Sequence, residues 1–97
     1  MVGFNYLSCM RSYDINNQRE AKSFLDEVCG RYHTTEIGGE FQCNIDRGTL
    51  AVNPQEGILY LGRKGSESLH ENVDKVELVD TGEFKVYSNT PTKLFYD

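Results

Sequence analysis

The apolar positions change their period along the chain. Phe4 to Met10 is rich in aromatic and apolar residues and reads as a strand, with Leu7 and Cys9 on one side and Phe4, Tyr6, Ser8 and Met10 on the other. Ala21, Phe24, Leu25, Val28, Cys29 and Tyr32 then recur at helical spacing and form one stripe, while Arg19, Glu20, Lys22, Ser23, Asp26 and Glu27 fill the opposite face. Asn17 with Glu20 three residues later fits a capping box, and Gly30 marks the far end. An amphipathic helix is therefore predicted from Asn17 to about Arg31.

Beyond the helix the period becomes two. Phe41, Cys43 and Ile45 alternate with Gln42, Asn44 and Asp46, and Asp46-Arg47-Gly48 makes a short turn. Thr49 to Asn53 returns as a strand with Leu50 and Val52 inward, and Asn53-Pro54-Gln55-Glu56-Gly57 turns again. Ile58-Leu59-Tyr60-Leu61 is apolar throughout, as expected of a strand covered on both faces. Ser66 to Val73 reads as a short helix or an irregular segment, because Leu69, Val73 and Val76 have helical spacing. Val76 to Val79 and Glu83 to Tyr87 form a hairpin around Asp80-Thr81-Gly82, and Leu94-Phe95-Tyr96 adds a short last strand. The expected fold class is α+β in a single domain over residues 1–97. One amphipathic helix from the N-terminal half packs on a curved, mostly antiparallel sheet of five or six strands.

Composition supports one ordered domain: apolar residues make up 38% and charged residues 26% of the 97. No apolar run approaches the ~20 residues of a membrane span. Met1 to Met10 lacks both a basic region and a continuous apolar core, so no signal peptide is expected. The three cysteines, Cys9, Cys29 and Cys43, are odd in number and form no C-x-x-C pair. They are expected to be free and reduced, in a cytoplasmic protein. The net charge of −5 is uneven: through Thr35 four acids balance four bases, and beyond it eleven acids face six bases. Glu67, Glu71, Asp74, Glu77, Asp80 and Glu83 are offset only by Lys75, a balance that disfavours direct nucleic-acid binding.

Each chemical motif has a plainer explanation. Asp80-Thr81-Gly82 after Val79 resembles the active-site triplet of retroviral-type aspartic proteases, and Leu61-Gly62-Arg63 is similar to their second signature. The order is reversed, however, and only fifteen residues follow Gly82, so the triplet is read as a hairpin turn. His70-Glu71-Asn72-Val73-Asp74 misses the H-E-x-x-H zinc pattern by one residue and lacks a third ligand, so no metal site is assigned. Cys29 and His33 are four apart, but Cys29 lies on the apolar stripe and is read as a packing residue, like Cys9 and Cys43. Gly62-Arg63-Lys64-Gly65-Ser66 is not a nucleotide-binding loop. No catalytic residue and no cofactor are assigned.

Eleven aromatics, six of them tyrosine, exceed the needs of so small a core, and surface tyrosine favours protein interfaces. The leading expectation is a small, acidic, non-enzymatic protein-binding module that docks on a basic partner surface. An inhibitor or immunity-type protein, such as phages and mobile elements encode, is one form. Its expected contact residues are Glu67, Glu71, Asp74 and Glu77, with Glu67, Glu71 and Asp74 on one face of a short helix, together with Tyr60 and Tyr87. The alternatives are a small-ligand binder or enzyme with a pocket against residues 58–61, and a structural subunit that oligomerises. One helix covers one sheet face, so the other needs sheet curvature, Leu94-Phe95-Tyr96 or a second chain in a symmetric dimer.

Overall fold

A computed structural model of the protein describes residues 10–46, 48–79 and 83–96. Among these residues run nine strands and one helix: β1 (Arg11–Tyr13), α1 (Gln18–Cys29), β2 (Thr35–Ile37), β3 (Glu40–Ile45), β4 (Gly48–Asn53), β5 (Ile58–Arg63), β6 (Ser66–His70), β7 (Val73–Leu78), β8 (Phe84–Ser88) and β9 (Lys93–Tyr96). The strands form two antiparallel sheets, a small one in the order β1-β7-β8 and a large one in the order β2-β3-β4-β5-β6-β9. The α+β class is as expected, but two sheets replace the single sheet of five or six strands. After His70 the chain passes through Asn72, at φ 53°, and leaves the large sheet. The β7–β8 hairpin then pairs with β1 rather than with β6. The predicted strand Phe4 to Met10 lies, apart from Met10, outside the described residues, as do Cys9, Arg47 and the turn Asp80-Thr81-Gly82.

The helix starts and stops for local reasons. The Asn17 side chain accepts a hydrogen bond from the Glu20 backbone N–H at 3.1 Å. Glu20 reaches back to the backbone N–H of Asp14 at 2.9 Å, three residues earlier than a standard capping box would have it. At the other end Gly30 takes φ 86° and donates its N–H to the Asp26 carbonyl at 2.9 Å. That conformation costs other residues strain, and it ends the stripe early. Tyr32, expected on the buried face, is therefore 91% exposed.

Ala21, Phe24 and Leu25 from the helix meet Phe41, Leu50, Val52 and Leu59 of the large sheet and Val73 and Val76 of the small sheet in one buried cluster. Phe24 stacks edge-on against Phe84 of β8, with ring centroids 5.3 Å apart, and tilts against Tyr13 of β1 at 5.6 Å. Val73 is tied polarly on both sides: the Asn16 side-chain amide donates to its carbonyl at 3.0 Å, and its N–H donates to the Gly57 carbonyl, in the β4–β5 turn, at 2.9 Å.

The cysteines depart from expectation. Cys29 and Cys43 form a disulfide with Cα atoms 6.2 Å apart. Both thiols had been placed inward, one on the helical stripe and one on the buried side of β3, and α1 packs directly on β3. The expectation of three free thiols is thus corrected, and the cytoplasmic assignment loses the ground on which it rested. Among the described residues no helix is long and apolar enough to cross a membrane.

Candidate functional site

Alternation along β5 sends Leu59 into the core and Tyr60 to the outer face of the large sheet. The pairing register sets Ala51, Tyr60, Leu69 and Lys93 in one row across that face, and Thr49, Gly62, Glu67 and Phe95 in the next. The Tyr60 ring folds over Gly62, where a Cβ would collide with ring carbons 2.7 and 2.8 Å away. Glycine leaves that space open, and the phenol reaches across it to donate to Glu67 Oε2 at 2.7 Å. The hydrogen bond to Glu67, then burial, then the charge of Glu67 raise the Tyr60 pKa above the ordinary 10.0. No cation pairs with Glu67 among the described residues.

The small sheet carries a second pair of the same chemistry. Tyr87 on β8 donates to Glu77 Oε1 at 2.6 Å. Here two cations intervene: Lys75 lies 3.5 Å from Glu77, and the Lys75 and Lys85 ammonium groups stand 4.8 and 5.1 Å from the Tyr87 ring centre. The Tyr87 hydrogen bond leads in lowering the Glu77 pKa; burial opposes it, and Lys75 and then Lys85 add smaller lowering effects.

The other expected contact residues are dispersed. Residues 66–70 are strand, so Glu67, Glu71 and Asp74 share no helical face. The spacing of Leu69, Val73 and Val76 is produced instead by two strands on either side of a bend. Glu71 lies in the β6–β7 connection and pairs with Lys93 at 3.0 Å, and Asp74 on β7 accepts from the Asn89 amide at 3.3 Å. Of the six, Tyr60 and Glu67 come together on one sheet and Tyr87 and Glu77 on the other. Ile58, Leu69 and Phe95 flank the first pair on the same face and were not singled out from sequence. Alternation along each strand is their only signal, and it becomes informative only once the strand order is known.

The remaining motifs do not assemble chemistry. Cys29 is held in the disulfide rather than paired with His33. His70 Nδ1 lies 3.1 Å from Thr92 Oγ1, and burial lowers its pKa below 6.5. Among the described residues no three His, Cys, Asp or Glu side chains gather as a metal would require. A cleft of about 640 Å³ opens at the end of β5, bounded by Cys29, Asn44, Asp46, Arg63, Lys64 and Phe84. None of residues 58–61, against which a pocket was expected, lines this cleft, and Leu61 borders a neighbouring one. Tyr60, His70 and Glu77, whose ionisation the fold shifts, all lie outside the cleft. Comparison of the chain with protein-family models, curated proteins and solved structures finds no significant match.

Proposed function

We propose that the chain is a non-enzymatic protein-binding module that docks on a basic partner surface through the outer face of the large sheet. The observation that carries this reading is Glu67. It is an outward carboxylate with no ion-pair partner among the described residues, and it is held by a half-exposed tyrosine beside Leu69 and Phe95. An arginine or lysine of a partner meets a carboxylate and an aromatic ring together at such a place. Within this class an inhibitor or immunity-type protein fits the small size and net charge of −5. Affinity capture from the native host tests the reading. A partner retained by wild type and by Glu77→Lys should lose at least about tenfold in affinity with Glu67→Lys, and the loss should shrink as salt screens the contact. Equal retention by all three proteins would remove the outer face from consideration.

A second reading, a binder of small anionic ligands, is favoured by one observation. The cleft at the end of β5 has the volume of a ligand site, and its Arg63 and Lys64 have no carboxylate partner among the described residues. Heat evolved on titration with inorganic phosphate, and abolished by Arg63→Ala, would move the function there.

A further inference from the structure

Among the described residues each sheet ends in two edge strands, and three of the four are blunted in a recognisable way. β1 is three residues long, with Arg11 ion-paired to Glu27 at 2.8 Å. β2 is also three residues long and carries Glu36. β8 carries Lys85 at its second position. Short length and central charge are the usual means of keeping a sheet edge from pairing with another chain. β9 has four residues and lacks a central charge, since its only charged residue, Lys93, stands at its start and is already committed to Glu71 at 3.0 Å. Leu94, Phe95 and Tyr96 follow without charge or proline and are 56%, 50% and 71% exposed. They are half of the six large apolar side chains exposed among the described residues.

We infer that β9 is the edge through which two copies of this chain pair, antiparallel and about a two-fold axis, to continue the large sheet from one copy into the other. Each pairing already present in that sheet is antiparallel, so the added strand repeats an existing pattern. A two-fold axis normal to the sheet keeps like faces on the same side and allows only registers that oppose residues of the same face. Centring it on Phe95 uses the apolar run of the strand: Phe95 meets Phe95 of the other copy and Leu94 meets Tyr96. Apolar residues thus face apolar residues, a cross-strand combination that stabilises a sheet. This pairing does not depend on the docking reading, since Tyr60 and Glu67 lie inward of the edge. It would present them twice on one side.

Sedimentation equilibrium of the full chain, from about 10 µM to about 1 mM, tests the inference. The weight-average mass should climb from 11.1 kDa toward twice that value. Phe95→Lys and Phe95→Glu, each alone, should remain at the single-chain mass, because like charges then oppose each other across the axis. An equimolar mixture of the two should recover the dimer, a rescue that misfolded variants do not show and that another register does not predict. Wild type staying at 11.1 kDa throughout, Phe95→Lys associating as wild type does, or a mixture no heavier than its components would each overturn the proposal.

Discussion

Tyr60 and Tyr87 each donate a hydrogen bond to a glutamate, one on the outer face of each sheet, at 2.7 and 2.6 Å. The donor, the acceptor and the geometry are alike, yet the ionisation that shifts differs. On the large sheet it is the phenol, which would have to give up its hydrogen bond to Glu67 and then ionise, partly buried, beside that carboxylate's charge. On the small sheet it is the carboxylate, stabilised by its phenol and then by Lys75 and Lys85. A Tyr–Glu pair is therefore not a functional signature in itself. What matters is whether cations of the same chain complete it. The small sheet neutralises its own glutamate, whereas Glu67 on the large sheet has no ion-pair partner among the described residues.

Three measurements sharpen or break this contrast between the sheets, taken from the largest effect to the smallest. Phe24 holds the small sheet through Tyr13 and Phe84 and belongs to the core shared with the large one. Phe24→Ala should cost about 3–5 kcal/mol in denaturant melts. A loss under about 1 kcal/mol would mean that the sheets do not share a core. The disulfide ties the helix to the large sheet alone and closes a loop with a sequence separation of 14. Replacing Cys29 and Cys43 together by alanine should cost about 3 kcal/mol on loop-closure grounds. Peptide mapping without reduction should recover the crosslinked pair, and finding both thiols alkylated would contradict it.

The smallest effects are in pH. Glu77 has a folded pKa below its ordinary 4.5, so its contribution to stability is complete above that value and is lost as pH falls through the depressed one. Tyr60 has a folded pKa above 10.0, so its contribution is complete below 10.0 and is lost as pH rises through the raised value. Glu77→Gln should flatten the acid limb of a stability–pH curve and Tyr60→Phe the alkaline limb. The Tyr60–Glu67 pair is exposed and the Tyr87–Glu77 pair only partly buried, so the changes should be small and weaken in salt. An acid limb unchanged in Glu77→Gln would show that the two pairs do not differ as described.

Much of this architecture was legible in the residues. The stripe Ala21, Phe24, Leu25 and Val28 and the alternation of Phe41 and Cys43 located α1 and β3, because in both cases one periodicity meets one buried face. Val76 to Val79 with Glu83 to Tyr87 and the final Leu94-Phe95-Tyr96 were likewise strands, as β7, β8 and β9 are. The misreading of residues 66–73 arose where two strands joined by a bend mimic helical spacing, and periodicity does not encode the bend. The disulfide was hidden for a related reason. Each cysteine was assigned inward correctly, but meeting requires the helix axis to cross β3 at a particular height, which no spacing in the chain records. The Tyr60–Glu67 pair likewise depends on register, and on the absence of one carbon atom at Gly62.

The order in which the strands pair has a consequence for the time course of assembly. β2, β3, β4 and β5 each pair with the next strand along the chain through short turns, so their loops close at little entropic cost. β1 has no such neighbour: Arg11 meets its partner only at Leu78. Contacts of that span form slowly compared with local ones. During synthesis from the N-terminus, β1 and the apolar face of the helix beside it emerge long before β7 exists to pair with β1. The meander β3–β6 can cover the helix in the interval, but the β1 edge stays open until nearly the whole chain has left the ribosome.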